Sequence, residues 1–135
     1  MKMLLFVSVA LTVTLLAACG GDDDPDDARV GAVGDLSENV VDSWAANGIP
    51  GLYGFLHPEV TANCSLEGFE DAMEDQPEPT GWRNTRDIVV TDDVATATVI
   101  IVAGGQDIEQ DWTFKLEQGA RWRLTGVPGL QECTS

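Results

Sequence analysis

The chain has 135 residues, a formal net charge of −16 and 44% hydrophobic residues. This length suits one folded domain, and the hydrophobic fraction is sufficient for a buried core. The excess of 23 Asp and Glu over 7 Lys and Arg argues against nucleic acid as a partner, because phosphate binding requires clustered basic side chains.

The first eighteen residues have the pattern of an export signal. Lys2 precedes an apolar run over residues 3–16, which is shorter than the roughly 20 residues that a membrane-spanning helix needs. The next residues complete Leu16-Ala17-Ala18-Cys19, which resembles the lipobox of bacterial lipoproteins. The resemblance implies that residues 1–18 are removed and that Cys19 carries a diacylglycerol. The alternative is an ordinary secreted protein in which a Cys follows small residues by chance.

A lipid anchor would place the protein on the extracytoplasmic face of the cell envelope. Stable anchoring needs about two acyl chains, such as the palmitate of lipoproteins, because each buried CH₂ contributes only about 0.8 kcal/mol. The membrane, reached through this anchor, is therefore the first expected partner. The sequence does not distinguish an inner from an outer membrane.

An acidic segment follows the predicted anchor. Residues 20–27 read Gly-Gly-Asp-Asp-Asp-Pro-Asp-Asp, in which like charges repel and Gly and Pro disfavour regular structure. We predict a flexible tether over residues 19–27 and a folded domain over residues 28–135. A calcium loop is the alternative for this segment, but the spacing lacks the alternating ligands and closing Glu of an EF-hand.

Apolar spacing of three and four residues predicts helices in the first half of the domain. The first covers residues 33–46 and ends at Asn47-Gly48. A second is expected over residues 50–56, with Pro58 ending or bending it. A third is expected over residues 66–74, capped by Ser65.

Period-two alternation predicts four antiparallel strands in the second half. The first covers about residues 83–90, and the second covers residues 94–103 and is β-branched on both faces, which predicts a central strand covered on both sides. The turn signal Gly104-Gly105 leads to a third strand ending near Glu117, and a fourth covers residues 121–125. Helices followed by a meander predict an α+β domain.

Several short motifs in this layout resemble the nuclear transport factor 2-like (NTF2-like) fold, over most of residues 30–130. They are Ala-Ala-Asn-Gly at 45–48, Leu-His-Pro-Glu at 56–59, Asp-Val-Ala-Thr-Ala-Thr-Val at 93–99, Trp-Thr-Phe-Lys-Leu-Glu at 112–117 and Gly-Ala-Arg-Trp-Arg-Leu at 119–124. The resemblance implies two to three helices packed on a curved sheet of four or more strands, forming a cone. It also implies homodimerisation through the sheet. The alternative interpretation is a cystatin-like domain or another domain in which helices precede a β-meander.

Two cysteines remain if Cys19 is lipidated. Cys64 and Cys133 form an even pair in an exported chain, which predicts a disulfide. A reactive or metal-binding pair is the alternative. The chain has no Cys-x-x-Cys motif and one histidine, so no metal site and no cofactor are expected.

Enzymes of the resembled fold use Asp bases with Tyr donors, or Asp/His pairs, inside the cone. The weak candidates here are Tyr53, His57 and Asp87. Tyr53 is also expected as a core residue with its hydroxyl at the surface, and His57 as a residue capping helix carbonyls. Asp87 shares strand parity with Val89, which predicts that it faces inward, whereas Asp111 is expected to face outward.

Aromatic residues are numerous enough to line a cavity, although a filled core is the simpler interpretation. The candidates for such a pocket are Trp44, Tyr53, Phe55, Trp82, Trp112, Phe114 and Trp122. Lys115, Arg121 and Arg123 share a strand parity opposite Trp122, which predicts a basic strip or a set of solvated ion pairs.

These patterns favour a lipid-anchored, extracytoplasmic binding domain without catalysis. An envelope protein and a small apolar ligand remain open as its partner. The alternative is an isomerase or hydratase with a site in the cone, which requires an inward carboxylate near Tyr53 or His57. A third reading is a stable decoration of the envelope without a cavity.

Overall fold

The computed structural model describes residues 25–118 and 121–134 and has an α+β fold. Helices precede and follow one antiparallel sheet. The elements are α1 (Pro25–Asn47), α2 (Ile49–Tyr53), α3 (Pro58–Thr61), α4 (Leu66–Ala72), β1 (Gly81–Thr91), β2 (Val94–Ala103), β3 (Gln106–Glu117), β4 (Arg121–Gly126) and α5 (Gln131–Thr134). Within these ranges no helix is both long enough and apolar enough to span a bilayer.

The predicted signal peptide and Cys19 lie outside the described residues, together with the tether up to residue 24. Helix α1 begins at Pro25, so the predicted helix start at residue 33 is wrong, and the helix includes the last three residues of the predicted tether. Proline suits a first helical position, where its missing N–H costs no hydrogen bond. The guanidinium of Arg29 hydrogen-bonds the Asp92 carbonyl, which fixes this part of the helix against the β1–β2 turn.

The core-facing stripe of α1 follows the predicted spacing. Val33, Val40, Val41 and Trp44 are buried. The helix ends at Asn47 as predicted, and Gly48 adopts a φ of 72°, which a residue without Cβ accepts readily. Burial of this stripe against the sheet, rather than the weak helix propensity of its glycines, accounts for the length of α1.

The connection from α1 to the sheet contains one more helix than the sequence predicts. Helix α2 ends at Tyr53, before the predicted end at residue 56, because the chain then runs beside β4. Helix α3 was not predicted, and His57 caps it ahead of Pro58. Ser65 caps α4 as predicted, by accepting a hydrogen bond from the Gly68 N–H at 3.1 Å, but α4 ends two residues early.

The sheet has the order β1-β2-β3-β4, with every neighbouring pair antiparallel. Strand β2 has the predicted bounds, and its pairing with β3 runs without a shift from Val94–Lys115 to Ala103–Gln106. The hairpin between them turns at Gly104 and Gly105, both with positive φ, as the sequence predicted.

Strand β1 contains two register shifts, one after Trp82 and one after Arg86. The second shift contains Asp87, whose φ is 54°, in the left-handed region. The extra residue reverses the strand parity, so that Ile88 packs on the core while Val89 is 57% exposed. The prediction that Asp87 faces inward is therefore wrong, because simple alternation fails at a bulge.

The helices cover one face of the sheet, and the interior is filled by large side chains. Trp44, Trp112, Phe69 and Phe114 are at most 2% exposed. On β2, Ala95, Ala97, Val99 and Ile101 belong to this core, whereas the alternate residues from Val94 to Val102 are exposed or half-buried. The prediction that both faces of β2 are covered is wrong for residues 25–118 and 121–134, because none of the helices within these ranges packs on the outer face.

A disulfide joins Cys64 to Cys133, as predicted, with a Cα–Cα distance of 5.5 Å. It connects the residue before the α4 cap to helix α5, which the sequence did not predict. In the segment that joins β4 to α5, Val127 and Leu130 are buried. The chain after β4 is thus held by both packing and a covalent bond.

Candidate functional site at the start of β4

Tyr53 and His57 hold the chain where it leaves α2. The Tyr53 hydroxyl donates to the Cys64 carbonyl at 2.9 Å, and its ring packs on Phe69 with centroids 5.8 Å apart. The hydroxyl is therefore tied to the α3–α4 loop instead of simply facing water.

His57 caps a helix start and not the carbonyl end expected from the sequence. Its Nδ1 accepts a hydrogen bond from the Glu59 N–H at 3.1 Å, and its own backbone N–H donates to the Leu124 carbonyl at 2.7 Å. An Nδ1 that accepts a hydrogen bond carries no proton, so this contact requires the tautomer protonated at Nε2.

No carboxylate is hydrogen-bonded to Tyr53 or His57 among the described side chains. Asp87 lies on the exposed side of β1, where its carboxylate is 3.5 Å from Arg86. The isomerase or hydratase alternative requires an inward acid next to one of these residues. The structure does not bring the three candidates together.

The aromatic pocket candidates divide between the core and the surface. Trp44, Trp112 and Phe114 are core residues, and the Trp112 indole N–H donates to the buried Gln110 side chain at 2.9 Å. Phe55 and Trp82 pack on the core from its margin. Of the seven candidates, Tyr53 and Trp122 line surface grooves that the structure describes.

Three grooves adjoin the first three residues of β4. One, of about 230 Å³, lies between the ends of β3 and β4, lined by Glu117, Gln118, Arg121 and Arg123. A second, of about 470 Å³, extends from Arg123 and Glu117 onto the chain around α2 and α3, lined there by Tyr53, Gly54, Leu56, Pro58 and Thr61. The third, of about 340 Å³, lies between β4 and α1, lined by Ala32, Asp35, Leu36, Asn39, Arg121 and Trp122.

The cations of this region are unevenly paired. Arg123 donates to the Glu117 carboxylate and to the Gly54 carbonyl, both at 2.9 Å. Arg121 is exposed and forms no ion pair within the described part of the chain. The Arg29 guanidinium lies 5.3 Å from the centre of a Trp122 ring, as a cation–π contact.

This location is unusual in the charge distribution of the chain. No Lys or Arg occurs between Arg29 and Arg83, so the helices before the sheet carry many acids and one Lys or Arg, Arg29. The basic strip predicted from strand parity is present beside β4, although Lys115 and Arg123 are both paired with carboxylates. A ligand at this site would meet the arginines before any other cations of the domain.

Lys115 joins the outer face of β3 to helix α3. Its ammonium donates to the Glu59 carboxylate at 3.0 Å. This hydrogen bond, together with the charge of Glu59, raises the pKa of Lys115 above its usual value. Because Lys115 and Arg123 are both paired with carboxylates, Arg121 is the cation of the strip that has no carboxylate partner among the described residues.

The backbone of β4 is only partly paired on the side away from β3. There the Leu124 N–H donates to Phe55 O at 2.9 Å, and the Leu124 carbonyl accepts from the His57 N–H. Along a strand, the backbone groups of every second residue point to the same side. The N–H and carbonyl of Trp122 therefore point away from β3, as those of Leu124 do. Neither has a hydrogen-bond partner in residues 25–118 and 121–134.

Sequence reasoning identified the arginines but not this free edge. The parity of Arg121 and Arg123 was visible in the alternation, whereas the pairing of residues 55–57 with β4 is a contact between distant parts of the chain. No local pattern signals such a contact.

The described side chains contain no group of three or more His, Cys, Asp or Glu placed to hold a metal ion. Comparisons of the chain with family models, curated proteins and solved structures give no match. The function is therefore argued from the geometry of the site and from the sequence of the N-terminal segment.

Proposed function

We propose that this chain is a lipid-anchored binding domain on the extracytoplasmic face of the cell envelope, with no catalytic activity of its own. The observation that carries the binding part is the meeting of three grooves at Arg121, Trp122 and Arg123. Beneath them the core is filled by Trp112 and Phe114. A ligand would therefore bind at the surface, which favours an envelope protein over a small apolar molecule.

The anchor part of the proposal rests on Leu16-Ala17-Ala18-Cys19 and the apolar run before it. A chain from Cys19 to Pro25 spans at most about 20 Å when fully extended. The binding domain would thus remain close to the membrane surface, where its partners are other envelope proteins.

We also propose that the domain is NTF2-like. The support is architectural: a long first helix, short helices after it, and a four-stranded meander covered on one face. Self-association through the outer face of the sheet belongs to this proposal, since Val94 is 43% exposed there. Sedimentation equilibrium at high concentration tests it, and a monomer throughout would remove the dimer from the proposal.

The anchor is tested by expressing the full chain in a bacterium with labelled palmitate. We expect the native chain to carry the label and to partition into the detergent phase. Cys19→Ala should remain unlabelled and should not partition into that phase. The matched control is Ser8→Ala, which changes the apolar run and leaves the lipobox intact. Equal labelling of native chain and Cys19→Ala would contradict lipidation at this residue.

The binding site is tested by placing a photo-crosslinking amino acid at Gln118, an exposed residue of the groove between β3 and β4. In intact cells we expect a discrete adduct that disappears with Arg121→Glu. The control position is the exposed Glu109 on β3, outside the three grooves. Absence of an adduct at Gln118, or the same adduct at both positions, would count against this site.

A further inference from the structure

The free edge of β4 has hydrogen-bonding groups that the fold leaves unused. Trp122 is 6% exposed, yet its N–H and carbonyl find no partner in the part of the chain that the structure describes. Backbone groups at well-buried residues are nearly always paired, because an unpaired one loses water without a replacement. An unpaired donor and acceptor on one strand edge match the backbone of another extended chain.

We propose that the edge of β4 at Trp122 binds an extended segment of a partner polypeptide by adding it as a strand. This inference rests on the proposed binding function and specifies its partner. In this mode, main-chain hydrogen bonds provide affinity and pockets for alternate side chains provide specificity.

The chain already contains a short example of such pairing. Residues 55–57 lie parallel to β4 and exchange two hydrogen bonds with Leu124. Their pairing stops there because the preceding residues enter helix α2, where the Phe55 N–H bonds the Leu52 carbonyl instead. A partner segment would continue the pairing at the next outward-pointing residue, Trp122.

The grooves on the two sides of this edge predict the side chains of the partner. Successive residues of an extended segment point to opposite faces. One set would enter the groove beside α1, where Ala32 and Leu36 provide apolar contacts. The other set would lie beside Arg121 and Arg123. Arg123 is paired with Glu117, and Arg121 has no carboxylate partner in the described ranges.

Charge complementarity therefore favours an acidic or polar residue at every second position and an apolar residue between them. A small anion fits the arginines but leaves the carbonyl of Trp122 without a donor. An apolar molecule satisfies neither backbone group. An extended peptide with alternating apolar and acidic side chains satisfies all of these features.

The first experiment selects ligands from a displayed library of random seven-residue peptides on the full-length chain in detergent. We expect enrichment of alternating apolar and acidic sequences. The strongest binder is then synthesised with one backbone N-methyl group at each position in turn. Strand addition predicts about tenfold weaker binding when the N-methyl group replaces the one peptide N–H that donates to the Trp122 carbonyl, and a smaller effect at the other positions. A uniform response along the peptide would overturn backbone pairing.

The second experiment follows amide hydrogen exchange of Trp122 by NMR. In the free protein we expect this amide to exchange faster than that of Leu124, which donates to Phe55. Addition of the selected peptide should slow the Trp122 amide at least about tenfold and leave the β1 amides unchanged. A Trp122 amide that is already protected, or is insensitive to the peptide, would overturn the proposal.

Two blocking variants locate the peptide. Ala32→Trp fills the groove beside α1, and its control is Ala46→Trp, at an exposed alanine near the other end of the same helix. Arg121→Glu reverses the charge next to the edge, and its control is Arg83→Glu on β1. We expect Ala32→Trp and Arg121→Glu to weaken peptide binding about tenfold or more, and the two control variants to bind the peptide as the native chain does.

The result also separates this inference from the binding function on which it rests. If the crosslink at Gln118 forms but no peptide is enriched, the domain binds a partner and strand addition is wrong. If neither is seen, the binding function fails as well. Equal peptide binding by the blocking and control variants would place the peptide elsewhere and overturn the inference.

Discussion

The two edges of the sheet differ in how they are protected from unwanted pairing. Strand β1 has two register shifts and exposed charges, and its Arg83 and Arg86 reach across β2 to pair with Asp107 and Glu109 of β3. Strand β4 has one register shift against β3, at Thr113 and Phe114, and one ion pair with it, Arg123–Glu117, but neither involves Trp122. Residues 55–57 cover this edge at Leu124. Bulges and charges hinder pairing with another strand, whereas a short cover blocks only the residues it touches.

The β1 edge is thus protected from pairing with another strand by its own bulges and charges. The β4 edge is protected by residues 55–57, which come from another part of the chain. Strand β4 is therefore tied to the core and to the chain before α3, and the segment after it is tied by the disulfide to the residue before the α4 cap. Loss of those contacts should destabilise the protein more than equivalent changes on β1. Four predictions test this difference, beginning with the largest expected effect.

Cys133→Ser removes the covalent bond that holds the segment after β4. The bond closes a loop with a sequence separation of 69, and the chain-entropy estimate for such a loop is about 4 kcal/mol. We expect a loss of about that size in urea unfolding, and a similar loss for the native chain in reductant. Two free thiols in the unreduced, denatured protein would show that the bond does not form in solution.

Leu124→Ala should cost about 3 kcal/mol of unfolding free energy, because Leu124 is fully buried where β4 meets residues 55–57. The matched change on the other edge is Val89→Ala, at a side chain 57% exposed, for which we expect a change below about 0.5 kcal/mol. Denaturant unfolding of both variants measures the contrast. Equal losses at the two positions would end the distinction between the edges.

Asp87→Val should destabilise the protein by about 1–2 kcal/mol although the side chain is exposed. The reason is the φ of 54° in the β1 bulge, which a β-branched residue resists. Asp87→Gly should be nearly neutral because glycine tolerates this φ. Asp111→Val, at an exposed aspartate in regular β3, is the control and should change stability little. A small effect of Asp87→Val would indicate that the bulge is not maintained in solution.

The smallest expected effect concerns the ion pair between Lys115 and Glu59. The folded state raises the pKa of Lys115, so the pair stabilises the fold at pH values below the ordinary pKa of 10.5. That contribution is lost as pH rises through the raised pKa. We expect the Tm difference between the native chain and Lys115→Met to be small at pH 7 and to vanish in strong alkali.

Salt provides an independent check of the same pair, because added salt screens exposed charges. The Tm difference should shrink between low and high ionic strength at pH 7. Lys115→Arg keeps the charge and should retain most of the effect. A difference that persists in strong alkali would show that packing, and not the ion pair, is responsible.

Much of the sheet could be predicted from the sequence because its determinants are local. The bounds of β2 follow from an uninterrupted β-branched run, and the hairpin after it follows from two adjacent glycines. The stripe on α1 and the Ser65 cap are likewise local patterns. The disulfide could be predicted because two cysteines allow one pairing once Cys19 is set aside.

The incorrect predictions share a different cause. Alternation could not place Asp87, because a bulge adds a residue without a mark in the sequence. It could not show that the outer face of β2 is open, since a β-branched run has the same composition in either case. The start of α1 depends on Arg29 and the distant Asp92, which no local window contains.

For this protein, the sequence by itself determined the order of the four strands, β2 as an inner strand, the disulfide partners and the parity of the arginines on β4. Those features follow from the alternation of apolar residues, from the residue types at the turns and from the number of cysteines, all of which can be read without knowing the tertiary contacts. The tertiary structure alone decided that Tyr53 and His57 are used to hold the chain, that the core is filled, and that Trp122 lies at a free edge. Each of these depends on contacts between residues far apart in the chain. A local sequence pattern does not specify such contacts, which form only when the whole domain packs.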